Sequence, residues 1–113
     1  MVTEMDYRIE RYLRPGDVNR DVFSIAEHVL TGKIRHPWTE RFNRRFVADE
    51  RLVKDVRANL LLKWLQNNFP GMPMVLVLRH PCAVAHSYVK HGWHATTDTL
   101  LAQPALLEDF LEP

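Results

Sequence analysis

The sequence is poor in the residues that cross-link a chain or anchor it in a bilayer. Its 113 residues include one cysteine, Cys82, so no disulfide can form within the chain. A lone cysteine fits a reducing compartment, and we expect a cytoplasmic location. The longest apolar run, residues 74–78, is too short to span a membrane. Residues 1–14 are charged and have no apolar core, so a cleavable signal is not expected either.

Acidic residues are absent from a long central stretch. The whole chain is balanced, with 15 basic and 14 acidic residues and a net charge of +1, which does not favour a nucleic-acid partner. Residues 56–97, however, contain no Asp or Glu. Basic side chains in that stretch favour an anionic ligand, and chance placement on solvated helix faces is the alternative. They are Arg57, Lys63, Arg79, Lys90 and four histidines.

Hydrophobic spacing predicts a chain of alternating helices and strands. A capping residue, Asp17 or Asn19, begins a helix that runs to about Leu30, and Pro37 begins another with Trp38, Phe42 and Phe46 on one face. Further helices are predicted over residues 58–69, 81–91 and 105–111, and strands over 51–55 and 74–78.

This order predicts the α/β class, with a βαβ unit, part of a parallel sheet and flanking helices. We expect one domain over residues 1–113. It comprises a helical lead-in (1–50), a βαβα core (51–91), and a C-terminal loop with a short helix (92–113). A sheet with so few strands has open edges, so self-association through an exposed sheet edge is also expected.

The richest chemistry follows the second predicted strand. Arg79 ends that strand, and ligands of open α/β sheets bind at this edge. Pro81 begins the next helix, whose first N–H groups attract anions. Ser87 lies two turns later, on the face shared with the small Ala83. Together these groups could hold one phosphate, although Arg79 could also simply end the strand in solvent.

Metal binding by the histidines and nucleophilic chemistry at Cys82 are two further possibilities that the sequence favours less than a phosphate site. The histidines at positions 80, 86, 91 and 94 are irregularly spaced and lack the i, i+4 pair of zinc-binding helices, so no metal is expected. Cys82 lies near a helix N-terminus, where a thiolate is stabilised. A phosphatase loop would place an arginine six residues later, where this chain has Tyr88, so Cys82 is interpreted as a small helix residue.

The segment Leu78-Arg79-His80-Pro81, followed by Ser87, resembles the 3′-phosphate-binding segment of sulfotransferases. These enzymes have a P-loop-like α/β fold and transfer a sulfuryl group from 3′-phosphoadenosine 5′-phosphosulfate (PAPS) to a hydroxyl or amine acceptor. The resemblance covers about residues 51–113. It implies that PAPS is the nucleotide co-substrate and that Arg79 and Ser87 hold its 3′-phosphate.

Other parts of the family pattern are missing. The chain has no Gly-rich loop for the 5′-phosphosulfate, and its four glycines are isolated. Lys54 is a candidate for the reacting centre, with a surface position beside the strand as the alternative, and the histidine two residues after it in cytosolic members is absent. We therefore expect the central part of a sulfotransferase-like domain. The alternatives are a non-catalytic nucleotide- or phosphate-binding module and an interaction fragment that folds with a partner.

Overall fold

A computed structural model describes residues 10–34, 37, 41, 42, 44, 47, 49–94 and 97–111. These residues divide between two compact units, one of Met1–Asp17 with Val56–Pro113 and one of Val18–Asp55. The described segments contain a 3-10 turn (Ala58–Leu61) and five α-helices. The helices are α1 (Arg20–Leu30), α2 (Leu62–Asn68), α3 (Pro81–His91), α4 (Thr97–Leu101) and α5 (Pro104–Phe110).

Helix α1 belongs to the unit Val18–Asp55 and confirms the first predicted helix. The Asn19 side chain caps it by accepting a hydrogen bond from the Val22 N–H at 3.0 Å. Gly32 follows the helix with φ +72°, and the Arg51 side chain lies 2.9 Å from the position that a Cβ would occupy there. A substitution at position 32 would therefore strain the backbone, and its Cβ would clash with the Arg51 side chain.

The other unit is organised around Trp64 on α2. Its side chain is fully buried, and its Nε1–H donates to the Asp17 carbonyl at 2.9 Å. Asn67, one turn later, donates its Nδ2–H to the Pro15 carbonyl at 2.8 Å. These two bonds attach the N-terminal segment to α2. A helix predicted over residues 58–69 is thus present, with its first turn tightened to a 3-10 geometry.

The same N-terminal segment is attached to α5 through Arg14. The Arg14 guanidinium donates from Nε and Nη2 to the two oxygens of Asp109, both at 2.8 Å, and Nη2 also reaches Glu108 at 2.8 Å. The Tyr12 hydroxyl donates to Asp109 at 2.7 Å, and its ring meets Phe110 edge-to-face at 5.5 Å. Hydrogen bonds from Arg14 and then Tyr12 lower the pKa of Asp109 to about 2. The same bond to Asp109 raises the pKa of the Tyr12 hydroxyl.

Both predicted strands are wrong, and with them the α/β class and its βαβ unit. Residues 51–55 and 74–78 form no strand, and the described part of the chain contains no sheet and hence no sheet edge. A parallel strand buried on both faces needs neighbouring strands and covering helices. Residues 74–78 have no strand beside them in the described part of the chain, and most of their side chains are exposed. The core expected over 51–91 thus contains its two helices and neither strand.

The remaining helix predictions have mixed outcomes. Helix α3 begins and ends where predicted, and α5 lies one residue before its expected range. Helix α4 was not predicted. Trp38 and Phe46, on the helix expected from Pro37, lie outside the described residues. No helix within the described ranges is long and apolar enough to cross a membrane.

Candidate functional site

The candidate phosphate site lies around the start of α3. Pro81 occupies the first helical position, where its fixed φ and missing N–H are tolerated. At the other end, Gly92 adopts φ +64°, and its N–H donates to the Val89 carbonyl at 3.2 Å. Both boundaries follow from local sequence, because proline and glycine are the residues that these two positions favour. The helix therefore forms without the predicted strand before it.

His80 engages the first N–H groups of α3. Its Nδ1 accepts from the Cys82 N–H at 3.2 Å, and its carbonyl accepts from the N–H groups of Ala83 at 2.9 Å and Val84 at 3.1 Å. Pro81 has no N–H to offer. The sequence predicts free N–H groups at the start of α3. The Cys82 N–H is not free, because the side chain of the N-cap residue His80 already accepts its hydrogen bond. A phosphate here must be held by side chains, or must displace the His80 imidazole.

Arg79 is an exposed cation immediately before this cap. Its guanidinium has no ion-pair partner within the described ranges. The sequence around it explains this, since residues 56–97 contain no carboxylate. An arginine fork that pairs with no described carboxylate suits bidentate binding of a phosphate.

Ser87 lies farther along the same helix. It is half-buried, as is Ala83 one turn before it, whereas the neighbouring Ala85 and His86 are exposed. Ser87 follows Pro81 by six residues, or about 9 Å along the axis at 1.5 Å per residue. A phosphate shared by Arg79 and Ser87 therefore requires the Arg79 side chain to extend along α3, across the space left by Ala83.

Lys54 lies in the other unit and is exposed. It forms no ion pair with any described residue. Without the predicted strand, no β-geometry fixes the direction of its side chain. Lys54 thus remains a sequence-based candidate.

Cys82 and the described histidines are not gathered into a metal-binding group. Cys82 is a free, exposed thiol in the first turn of α3. No group of three or more His, Cys, Asp or Glu side chains within the described segments could hold a metal ion.

An aromatic cluster at the end of α3 was not predicted. The Trp93 ring stacks on His91 with centroids 5.1 Å apart and meets Tyr88 edge-to-face at 5.9 Å. The turn at Gly92 produces this arrangement, because the Trp93 N–H donates to the Tyr88 carbonyl at 3.0 Å. The sequence could have predicted this contact, because the residue after a helix that ends in glycine folds back against the last turn of the helix.

Comparison of the chain with protein-family models, with curated proteins and with solved structures found no match. The resemblance of residues 51–113 to sulfotransferases therefore has no support from these comparisons.

Proposed function

We propose that the chain binds the 3′-phosphate of PAPS, or of its product adenosine 3′,5′-bisphosphate, through Arg79 and Ser87. The observation that carries this proposal is the arginine before α3. It is exposed, has no ion-pair partner in the described ranges and lies in a stretch of sequence without carboxylates. Such a group gains charge-assisted hydrogen bonds from a phosphate without giving up an ion pair with any described residue.

The two side chains have separate roles in the proposed site. Arg79 supplies the positive charge and a planar pair of donors. The Ser87 hydroxyl forms no hydrogen bond with another described residue, so it can donate to a phosphate oxygen. Ala83, which lies between the two in the sequence, has a small side chain. We assign no N–H of the helix start to the ligand, because His80 already engages them.

Binding and sulfuryl transfer are distinct predictions. Transfer develops negative charge on the bridging oxygen of the leaving group, so cations or N–H donors are needed there, together with a base for the acceptor. Arg79 and Ser87 would hold the opposite, 3′ end of the donor and contribute positioning. Lys54 lies in the other unit, and we assign it no part in this site. We expect nucleotide binding by this chain and no sulfuryl transfer by it alone.

Titration calorimetry with adenosine 3′,5′-bisphosphate tests the binding site. Adenosine 5′-monophosphate is the matched ligand, because it lacks only the 3′-phosphate. Arg79→Ala should weaken binding by about 10- to 150-fold, the equivalent of about 1.5–3 kcal/mol for a charged hydrogen-bonded pair. Ser87→Ala should weaken it by about 5- to 10-fold, and neither variant should alter binding of the monophosphate.

Lys63→Ala is the matched protein control, because Lys63 is an exposed base on α2, outside the candidate site. The affinity of this variant for the bisphosphate should fall less than about threefold, since only a screened charge outside the site is removed. Equal losses in Arg79→Ala and Lys63→Ala would contradict the site, because they would indicate nonspecific attraction.

The same protein then separates the catalytic from the non-catalytic alternative. Radiolabelled PAPS is incubated with the chain and a panel of hydroxyl and amine acceptors. Binding without transfer supports a nucleotide-binding module that needs further elements for chemistry. Transfer by the chain alone would contradict our expectation.

A cytoplasmic location accompanies this proposal. The chain's one thiol is free and exposed, which suits a reducing compartment.

A further inference from the structure

A strap of chain, residues 10–17, joins α2 to α5 within the unit that contains Trp64. Near α2, carbonyl groups of the strap accept hydrogen bonds from the Trp64 indole and the Asn67 side chain. Near α5, the strap is bound to the side chain of the N-cap residue, Gln103, and to two carboxylates of the last turn. The two ends of one short segment are therefore held by helices that are far apart in the sequence.

The contact of the strap with α2 is buried and uncharged. The Trp64 side chain is 1% exposed, and its Nε1–H donates to the Asp17 carbonyl at 2.9 Å. Salt screens interactions between charges and has little effect on a neutral bond of this kind. Loss of the bond with the ring still in place would leave a buried donor without a partner, which is costly. We therefore expect this end of the strap to open only when the unit unfolds.

The contact of the strap with α5 depends on exposed charges. Arg14 forms ion pairs at 2.8 Å with Glu108 and Asp109, and the exposed fractions of the three side chains are 42%, 58% and 28%. The Tyr12 hydroxyl donates to the same Asp109 carboxylate. Exposed ion pairs weaken as salt is added, and water solvates both partners once they separate. Opening at this end therefore costs less free energy than opening at α2.

A turn separates the two ends of the strap. The Asp17 N–H donates to the Arg14 carbonyl at 3.0 Å, and an Asp17 carboxylate oxygen accepts from the Arg14 N–H at 2.9 Å. These bonds lie within the strap, so they can persist while the residues before the turn move away from α5. Segments held by few buried contacts open in this way while the rest of the protein stays folded.

We propose that the strap opens at α5 while it stays closed at α2, and that salt favours the open form. In the open form the Arg14 and Tyr12 side chains leave Asp109. The bond between the Tyr12 N–H and the Gln103 side chain breaks with them. The Glu108 and Asp109 carboxylates then face water as an acidic pair, whose charge Arg14 offsets in the closed form. The strap thus controls the charge that the end of α5 presents, with no change in the rest of the unit.

Hydrogen exchange, measured by NMR on the full chain, reports the two ends of the strap separately. The Tyr12 N–H, bonded to the Gln103 side chain at 2.7 Å, reports the α5 end, and the Trp64 Nε1–H reports the α2 end. Protection of Tyr12 should be at least about tenfold lower than that of Trp64, because local opening costs less free energy than unfolding. Low concentrations of urea should leave Tyr12 protection unchanged. They should lower Trp64 protection about fivefold or more per molar, since only unfolding exposes much surface.

Salt and removal of charge should act on the α5 end. Raising the NaCl concentration from about 0.01 M to about 1 M shortens the Debye length from about 30 Å to about 3 Å, so Tyr12 protection should fall about 3- to 10-fold. The double variant Glu108→Gln/Asp109→Asn should have lower Tyr12 protection at low salt and should lose the salt dependence. Glu50→Gln removes an exposed carboxylate of the other unit, so this control should behave as the unaltered chain.

Asn67→Ala tests the order of opening. It removes a bond at α2 that both the closed and the open strap retain, so Trp64 protection should fall about 2- to 10-fold and Tyr12 protection should not change. Equal protection of the two reporters, a fall in Tyr12 protection in Asn67→Ala, or Tyr12 protection that does not depend on salt would each overturn the proposal. Nucleotide binding at Arg79 and Ser87 is measured separately and is independent of the strap.

Discussion

Replacing Trp64 with phenylalanine should destabilise the unit built from Met1–Asp17 and Val56–Pro113. Trp64 is 1% exposed, and its indole N–H donates to the Asp17 carbonyl. Phenylalanine cannot donate, so the carbonyl loses its partner at a cost of about 1–3 kcal/mol. About two buried carbon atoms are lost as well, at about 0.8 kcal/mol each. The expected loss is about 3 kcal/mol, a large share of the roughly 5–15 kcal/mol by which domains are stable.

Urea denaturation followed by far-ultraviolet circular dichroism measures this loss. At slopes of about 1–3 kcal/mol/M, the midpoint should fall by roughly 1–3 M with an unchanged slope. Trp93→Phe is the matched control, because Trp93 is 61% exposed and its ring lies against Tyr88 and His91 at the end of α3. Trp93→Phe should lower the free energy of unfolding by less than about 1 kcal/mol. Equal midpoints for the two variants would refute the assignment of Trp64 as the centre of this unit.

Two further perturbations test the chain ends and the end of α3. The pKa of Asp109 is lowered to about 2 from 3.8, so the stability contributed by its bonds is complete above about pH 4 and is lost as the pH falls towards 2. Asp109→Asn should therefore lower the melting temperature at pH 7. The difference in melting temperature from the unaltered chain should vanish near pH 2. A difference that does not depend on pH would contradict the attachment of Arg14 to Asp109. Gly92→Ala should cost about 1–2 kcal/mol in thermal denaturation, because alanine is strained at φ +64° although nothing lies within 4 Å of its Cβ. Gly16→Ala is the control, since its φ is not positive and its Cβ position is equally open, and equal losses would exclude backbone strain as the cause.

Helix boundaries were predictable where local chemistry fixes them. Asn19 offers an acceptor to the first turn of α1, and Pro81 and Gly92 suit the two ends of α3. These preferences operate within a few residues of the chain, so they can be read without knowledge of the rest of the fold. The aromatic contact of Trp93 with Tyr88 and His91 is also fixed by local sequence, because it depends on the turn at Gly92.

Strands were not predictable in the same way. A run such as residues 74–78 has the composition of a buried strand, yet burial depends on neighbours that the run does not encode. Contacts between residues far apart in the sequence could not be predicted either. Tyr12 and Arg14 meet Asp109 across more than ninety residues, and the Gln103 side chain accepts from the Tyr12 N–H and donates to the Glu10 carbonyl, both at 2.7 Å.

Arg79 and Ser87 were chosen from their separation and from the proline between them, and their role in binding a phosphate stays a prediction. One expected set of donors was wrong. The expected N–H groups of the helix start were not free, because His80 caps them. A residue before an N-terminal proline occupies the N-cap position, so the sequence did contain the signal that His80 would compete with an anion.

Calorimetric binding of adenosine 3′,5′-bisphosphate to the unaltered chain and to Arg79→Ala tests the central claim most directly. We predict saturable binding to the unaltered chain that is weakened by about 10- to 150-fold in the variant. The loss should be confined to the ligand that carries a 3′-phosphate. Failure of the folded chain to bind this nucleotide, or equal affinity in the two proteins, would contradict the proposed function.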